Sequence, residues 1–445
     1  MATDGTAQVR IRLKTKDSEI ELPETGPILV TTDLKRYQLS TLVNRLLDTE
    51  KPIPLEFLVN GQFLRTSLDD FLTQNGISAE TTLFVEYVKA LVPPTHVASY
   101  EHDDWVSSVD ILSQGPQSRI LSGSFDGSLS IWNMSSGKVA TGQWHKARVN
   151  SAAFLSKSEI VSAGVDRSLI LWDFKDAETG QGALKPRLEL LGHQSSIESL
   201  AVSASTSRIL TASADGRIGL WSTKKAEGTP VPEWVGPANK RRRTSGPEVS
   251  LPQRGALSML EGHRDQVKEV VFDDKDHTVA YSASQDHTVK TWDLTTNRAV
   301  DTRTTGQSLT SLLHLPEQSL IAAGGTQRYI DLVDPREGAT KVSVMQLRGH
   351  QGMVNALAQN PELSYQVVSA SNDGTCRIWD LRAGSSEATG DRVGSSVFVI
   401  ERDSQRGAKK AEQGDSSRVF SVCWDQEVGI VSGGRDKMLQ INKGS

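Results

Sequence analysis

The stretch Ser282-Ala-Ser-Gln-Asp286-His-Thr-Val-Lys-Thr-Trp292-Asp293 decides the fold, because related stretches recur along the chain. Aligning them on the final dipeptide gives seven units, which end at Trp132-Asn133, Trp172-Asp173, Trp221-Ser222, Trp292-Asp293, Val333-Asp334, Trp379-Asp380 and Ile441-Asn442. Without two insertions, the units average roughly 43 residues, the period of a four-stranded propeller blade. The sequence therefore predicts an all-β propeller of seven blades.

Four units contain a set of polar residues suited to burial inside a blade. A His, a Ser or Thr, an Asp and a Trp recur at nearly constant spacing, so that each buried polar atom has a partner. The sets are His145, Ser162, Asp166 and Trp172; His193, Thr211, Asp215 and Trp221; His263, Ser282, Asp286 and Trp292; and His350, Ser369, Asp373 and Trp379. This recurrence favours a structural role over a metal-binding or catalytic one.

The remaining three units depart from this pattern. The unit ending at Trp132 lacks the His, the unit ending at Val333 lacks both His and Trp, and the last unit keeps only Asp436. The chain stops soon after the last dipeptide, so the last blade lacks a fourth strand. Thr95 to Tyr100, just before the first unit, is the natural donor, and it would close the ring.

Residues 1–92 follow a different pattern. Gln8 to Lys14 alternates polar and apolar residues, 19–22 reads as its hairpin partner, and 39–47 has helical spacing. Asn60-Gly61 predicts a second hairpin, followed by a short helix and a closing strand at Thr82 to Val88. The order β-β-α-β-β-short helix-β resembles the ubiquitin-like β-grasp. We therefore predict an α+β domain at 1–92, followed by the propeller at 93–445.

Composition narrows the function classes. The 445 residues have a formal charge of -5, which argues against a generally basic nucleic-acid coat protein. Two cysteines, Cys376 and Cys423, cannot form a disulfide framework, and no apolar run approaches a membrane span. Phosphate-binding, dinucleotide-binding and nucleophile-elbow motifs are absent. We expect a soluble, intracellular protein that is not an enzyme and has no intrinsic metal or cofactor.

Two insertions interrupt the propeller, at about 223–254 and 382–415. The first contains Lys240, Arg241, Arg242 and Arg243, a run that is a nuclear-import signal, a phosphate contact or a solvated loop. The second contains Arg406, Lys409 and Lys410, and we interpret it as surface filler.

Glu80 lies in a short connection, Gly76-Ile-Ser-Ala-Glu80-Thr81, that leads into the last strand of the N-terminal domain. From the residues alone, it reads as an ordinary surface acid. The alternative requires a partner that carries a hard divalent cation, because carboxylate oxygen is a preferred ligand of Mg²⁺.

Four stretches carry a family resemblance that extends over nearly the whole chain. They are Gln8-Val-Arg-Ile-Arg, Gly61-Gln-Phe-Leu-Arg65-Thr-Ser67-Leu, Leu91-Val-Pro-Pro94 and Asp103-Asp104-Trp105-Val-Ser-Ser108. With these features the chain resembles the eukaryotic ribosome-biogenesis WD-repeat factors of the PeBoW complex, the Ytm family of fungi, whose N-terminal domain is of the Notchless type.

The resemblance implies a non-catalytic assembly factor of the large (60S) ribosomal subunit, acting in the nucleolus and nucleoplasm on pre-rRNA processing. It implies partnership with a block-of-proliferation-type WD-repeat protein and pescadillo on the pre-60S particle. It also implies that the AAA ATPase midasin captures the ubiquitin-like domain through a bound Mg²⁺, with Glu80 as a ligand of the metal and Ser78 as a second partner-binding residue. ATP-driven pulling then releases the factor. The resemblance favours nuclear import for Lys240 to Arg243.

Two other functions compete with this interpretation. In the first, the chain is a WD-repeat substrate adaptor of a ubiquitin ligase, and its ubiquitin-like domain recruits ligase or proteasome. In the second, direct RNA binding is the main activity, which the negative net charge disfavours.

Overall fold

A computed structural model describes residues 7–23, 26–49, 51–115, 117–135, 137–176, 182–235, 251–337, 343–386, 392–405 and 418–444. The chain forms two compact units. The ubiquitin-like unit is Met1–Pro93 with Leu381–Gly394, and the propeller unit is Pro94–Asp380 with Ser395–Ser445. No helix in the described ranges is long and apolar enough to span a membrane.

The described residues of the ubiquitin-like unit include a five-stranded sheet and two α-helices. They are β1 (Gln8–Lys14), β2 (Ile28–Thr31), α1 (Arg36–Leu47), β3 (Leu55–Val59), β4 (Gln62–Phe63), α2 (Leu68–Gln74) and β5 (Leu83–Lys89). The strand order is β2-β1-β5-β3-β4, with β1 and β5 parallel at the centre. This arrangement confirms the predicted β-grasp fold.

The core of this unit lies between one face of the sheet and α1. Val9, Ile11 and Leu13 are buried on β1, where they alternate with exposed residues, because successive side chains of a strand point to opposite faces. Leu39 and Val43, four residues apart on α1, belong to the same buried cluster. Full burial of each such side chain contributes about 1.5–3 kcal/mol.

The strand that pairs with β1 is not the predicted one. Residues 19–22 form no strand; instead Ser18–Ile20 is a 3-10 helix, and β2 pairs with β1. The Tyr87 hydroxyl donates to the Ile20 carbonyl at 2.8 Å and accepts from the Leu22 N–H at 3.0 Å. Because this side chain occupies those backbone groups, they are not available to a neighbouring strand. The predicted hairpin at 19–22 was therefore wrong.

The propeller unit opens with β6 (Thr95–Glu101), and its described residues form seven blades. Blades 1 to 4 consist of β7 (Val106–Leu112), β8 (Arg119–Ser124), β9 (Ser128–Asn133) and β10 (Gly137–Gln143); β11 (Val149–Phe154), β12 (Glu159–Gly164), β13 (Ser168–Lys175) and β14 (Ala183–Leu191); β15 (Ile197–Ser203), β16 (Arg208–Ser213), β17 (Arg217–Ser222) and β19 (Ser258–Glu261); and β20 (Val267–Phe272), β21 (Val279–Ser284), β22 (Thr288–Asp293) and β23 (Arg298–Thr304). A short strand, β18 (Gln253–Arg254), pairs with β14.

The last three blades follow the same plan. Blades 5 to 7 consist of β24 (Leu309–Leu315), β25 (Leu320–Gly325), β26 (Tyr329–Val333) and β27 (Met345–Arg348); β28 (Val354–Gln359), β29 (Gln366–Ser371), β30 (Thr375–Asp380) and β33 (Ser396–Glu401); and β34 (Val419–Asp425), β35 (Gly429–Gly434), β36 (Met438–Lys443) and β6. Two 3-10 turns, Glu233–Val235 and Asp403–Gln405, lie in the connections.

The first strands of the blades form a closed ring. Contacts run from β7 to β11, β15, β20, β24, β28 and β34 in turn, and β34 contacts β7. β6 pairs antiparallel with β36, with Ala98 opposite Ile441, so the first strand of the unit completes the last blade. The predicted seven blades and the predicted closing strand are both confirmed.

The four predicted polar sets share one geometry. His263 Nδ1 lies 2.8 Å from Asp286 Oδ2, and its Nε2 lies 2.7 Å from Ser282 Oγ. The indole N–H of Trp292 donates to the same hydroxyl at 2.7 Å. The sets of His145, His193 and His350 repeat these three contacts. Each set is thus satisfied within its own blade.

Blade 1 also contains a His, contrary to the prediction. His102 is buried, and its ring centroid lies 4.7 Å from that of Trp132. Burial lowers the pKa of His102 to about 4, and its Nε2 has no hydrogen-bond partner among the described residues. It lies one residue further from its Trp than in any predicted set, so the spacing search missed it.

Blades 5 and 7 use other polar networks. In blade 7 the guanidinium of Arg402 donates to both carboxylate oxygens of Asp436, at 2.9 and 2.8 Å, and to Ser432 Oγ at 2.7 Å. In blade 5 the side-chain amide of Gln307 donates to Asp331 at 3.0 Å. Burial raises the pKa of Asp331.

Residues 381–394, here called the strap segment, belong to the ubiquitin-like unit. Ala383 is buried against Leu58 and Val88, and the Gly384 N–H donates to the Gly61 carbonyl at 2.8 Å. The segment also contains two short paired strands, β31 (Ser385–Ser386) and β32 (Arg392–Gly394).

Part of the second insertion therefore differs from the prediction. The strap segment was assigned to the propeller domain, and 382–415 was interpreted as surface filler. That interpretation is wrong for Ala383 and for Arg402, which is only 2% exposed, because both are packed in buried contacts. In the first insertion, β18 pairs with β14, and Glu227 accepts from Arg208 at 2.6 Å.

Candidate functional site

The loop that carries Glu80 begins where α2 ends. Ser67 caps the start of α2, accepting from the Asp70 N–H at 3.2 Å. At the other end, the side-chain amide of Asn75 donates to the Phe71 carbonyl at 2.9 Å. Gly76 has φ +63°, the left-handed conformation that favours glycine after a helix. Both ends of α2 are thus fixed, which sets the direction in which the loop leaves it.

The loop alternates between core and solvent. Ile77 and Ala79 pack against the hydrophobic core, whereas Ser78 and Glu80 are exposed. The Ser78 hydroxyl accepts from the Glu80 N–H at 3.3 Å, and the Thr81 hydroxyl donates to the Ser78 carbonyl at 2.8 Å. These bonds form a tight turn. Ser78 therefore shapes the backbone from which the carboxylate of Glu80 projects into solvent.

The carboxylate of Glu80 forms no hydrogen bond or ion pair with the part of the chain that the structure describes. Two other acids of the unit are engaged: Glu19 pairs with Lys89 at 2.5 Å, and Glu56 pairs with Arg65 at 2.7 Å. Both oxygens of Glu80 are accordingly accessible to a ligand. A hard divalent cation with an open coordination position is one ligand that fits them.

The described residues contain no group of three or more His, Cys, Asp or Glu side chains that could hold a metal ion. Lys240, Arg241, Arg242 and Arg243 lie outside the described residues. Arg406, Lys409 and Lys410 lie outside them too.

The sheet of the same unit also carries a group of exposed residues that was not predicted from the sequence. Arg10, Arg12 and Lys14 line the outer face of β1, beside the exposed side chains of Leu29 and Phe84. The alternation in Gln8 to Lys14 was used only to predict a strand. The same alternation also contains a signal of an interaction surface, because three consecutive outward-facing positions of the strand carry positively charged side chains.

Comparison with protein families matches both units. Residues 9–72 match the NLE (NUC135) domain. Five stretches match the WD domain, G-beta repeat: 94–133, 137–173, 184–222, 255–293 and 341–380. The first three strands of blades 5 and 7 fall outside these matches, and these are the two blades whose polar networks contain neither the His nor the Trp.

Relatives match over almost the entire chain. A protein of Emericella nidulans named "Ribosome biogenesis protein ytm1" is 52% identical, over 98% of this chain and 96% of the relative. Proteins of the same name are 51% identical in Neosartorya fischeri, over 100% and 97% of the two chains, and 52% identical in Aspergillus niger, over 98% and 95%. The chain therefore belongs to the Ytm1 family of ribosome biogenesis proteins.

Proposed function

We propose that this protein is a non-catalytic assembly factor of the large ribosomal subunit. The observation that carries the proposal is the similarity to ribosome biogenesis proteins across both units rather than across the common WD repeats alone. In four blades the buried His and Asp bond to each other and to groups of the same blade, and this structural use of the two side chains supports a scaffold role.

The proposal extends to partners and location. The propeller scaffolds a PeBoW-type complex with a block-of-proliferation-type WD-repeat protein and pescadillo, and this complex serves pre-rRNA processing on the pre-60S particle. The protein acts in the nucleolus and nucleoplasm. Sedimentation of tagged protein in a sucrose gradient tests this role, and we expect comigration with precursors of the large subunit. A protein that stays in the light fractions with ubiquitin-ligase subunits would favour the substrate-adaptor alternative instead.

The ubiquitin-like unit is proposed as the handle by which midasin, an AAA ATPase, releases the factor. Glu80 supplies a carboxylate oxygen to a Mg²⁺ held by that partner, and Ser78 holds the turn. Support comes from the exposure of Glu80 and from its lack of any partner among the described residues. A hard cation bound through few protein ligands keeps positions open for such an oxygen.

Substitution of Glu80 tests this handle. Glu80→Gln keeps the size of the side chain but removes its charge, and Glu80→Asp shortens its reach. Removing a residue that only hydrogen-bonds to a metal ligand already lowers the affinity for the metal about 10–100-fold. Removing a ligand itself should cost at least as much. We therefore expect Mg²⁺-dependent binding to midasin to weaken by at least about 100-fold in Glu80→Gln.

The control for this experiment is Glu21→Gln, which alters another exposed acid of the same unit. Both variants should remain folded and should still join the propeller's partner. Mg²⁺-dependent binding that survives in Glu80→Gln would contradict the role of Glu80 and leave the scaffold role intact.

The basic run is proposed as a nuclear-import signal. Replacing Lys240, Arg241, Arg242 and Arg243 with Ala should shift a fluorescent fusion toward the cytoplasm. An unchanged distribution would show that another segment or a partner carries import.

A further inference from the structure

The outer face of the ubiquitin-like sheet is covered in one half and open in the other. Leu58 and Val88, on β3 and the end of β5, are covered by Ala383 of the strap segment. Leu29 on β2 is 58% exposed, and Phe84 at the start of β5 is 51% exposed. Large apolar side chains left open beside a covered half indicate an interaction surface.

Three cations lie between these two apolar side chains. Arg10, Arg12 and Lys14 occupy alternate positions of β1 and are exposed, so they stand about 7 Å apart along a straight line. In the sheet register, Arg10 is opposite Leu29 and Arg12 is opposite Phe84. We call these five residues the basic apolar face.

The cations of this face are available to a ligand. None of the three forms an ion pair with a described residue, and Lys14 Nζ lies 5.0 Å from the centre of the Phe84 ring. Glu86, opposite Lys14, is partly buried, and its Oε1 lacks a hydrogen-bond partner among the described residues. The exposed charge on this half of the sheet is therefore mainly positive, which calls for an acidic partner.

The spacing and the apolar residues define the partner further. An extended peptide repeats the side chains of one face every second residue, so acidic residues at that interval match the three cations. Phe84 is the one aromatic ring of this face, whereas Leu29 offers an aliphatic surface that suits apolar side chains and not the successive stacking of nucleotide bases. The observations thus favour a protein segment over single-stranded RNA.

We propose that the basic apolar face binds an extended acidic protein segment in which acidic and apolar residues alternate. The binding site consists of side chains on β1, β2 and β5, does not include Glu80, and does not require a metal ion.

Fluorescence anisotropy with the full chain tests the proposal. The probe is a labelled nine-residue peptide that alternates Glu with Leu and Val, and a second peptide of the same composition has its glutamates in one block. A labelled ten-nucleotide polyuridylate represents RNA. The variants are Arg10→Glu/Arg12→Glu and Phe84→Ser. The matched control is Lys157→Glu/Arg264→Glu, which reverses two exposed cations of the propeller unit.

We expect the alternating peptide to bind more tightly than the blocked one and to lose affinity as salt is raised. The dissociation constant should rise at least tenfold in Arg10→Glu/Arg12→Glu, severalfold in Phe84→Ser, and less than twofold in the control. Arg10→Glu/Arg12→Glu should instead bind a peptide with Lys in place of Glu. This charge exchange distinguishes a reversed surface from a misfolded unit.

Three outcomes would overturn the proposal. They are no binding of the alternating peptide by the full chain, equal binding by Arg10→Glu/Arg12→Glu, and tighter binding of polyuridylate than of the peptide. The last outcome would assign the face to RNA.

Discussion

Asp286 makes the stability of its blade depend on pH. Burial alone would raise the pKa of Asp286, but hydrogen bonds from Thr288, the Arg264 N–H and His263 outweigh it and lower the pKa to about 2. An unfolded Asp titrates near pH 3.9, so its contribution to stability is complete above about pH 4 and disappears as pH falls toward 2.

We therefore predict that Asp286→Asn lowers the melting temperature at neutral pH. The difference between wild type and variant should narrow as pH falls through the window between about 4 and 2. Calorimetric melting curves across this range measure it. A difference that stays constant down to pH 2 would show that Asp286 stabilises the blade by packing rather than by its charge.

Arg402 provides a second prediction at the same scale. Its side chain and that of Asp436 are 2% and 9% exposed, and removing one partner of such a buried pair costs about 3–5 kcal/mol. Arg402→Met should lower the free energy of unfolding by that amount. Arg402→His should cost less, because the other sets bond a His to Asp and Ser in the same manner. Urea denaturation compares the two variants, and equal losses would contradict the analogy.

At the scale of elements, the strap segment constrains the turn between β3 and β4. Gly61 has φ +79°, and a Cβ there would lie 2.8 Å from the Gly384 carbonyl oxygen. Gly76 has φ +63°, but a Cβ there would meet nothing within 4 Å. Gly76→Ala should therefore cost only backbone strain, about 1–2 kcal/mol.

Gly61→Ala should lower the stability more than Gly76→Ala does, because the added Cβ also displaces the strap segment. The excess should vanish when 382–394 is replaced by Gly and Ser residues of equal number, a double-mutant cycle measured by thermal unfolding. An excess that persists without the strap segment would place the clash elsewhere.

The same elements show what the sequence predicts and what it does not. The polar sets, the closing strand β6 and the Asn60-Gly61 turn have periodic or local signals, and the structure contains them. Ala383 packs against Leu58 across more than 300 residues, a contact with no periodic signature. Likewise, only the fold brings the Tyr87 hydroxyl to the backbone of residues 20–22.

The candidate site likewise has one part with a local sequence signal and one part that only the fold brings together. The exposure of Glu80 was predictable, because a short polar connection entering a strand is normally solvated. The basic apolar face was not identified, because its members come from β1, β2 and β5. These residues are close together because of the order of the strands in the sheet. The incorrect prediction of a hairpin placed residues 19–22 beside β1, where the structure has β2.

At the scale of the whole molecule, the ubiquitin-like unit is discontinuous in sequence. Residues 1–93 alone would expose Leu58 and Val88, which are each 2% exposed when Ala383 covers them. We predict that a fragment of 1–93 joined to 381–394 by a Gly/Ser linker is more stable than 1–93 alone by about 1–2 kcal/mol, the order expected for the apolar area covered.

Thermal unfolding and amide hydrogen exchange at β3 and β5 measure the difference. The control carries Ala383→Asp in the strap segment, which places a charge against the apolar pair and should remove the gain. Equal stability of the two fragments would mean that the strap segment rests on the sheet without stabilising it. A gain would instead show that a segment inserted between two propeller strands completes the fold of the N-terminal unit. Binding experiments on that unit would then need both segments, because 1–93 alone would expose an apolar surface that the full chain covers.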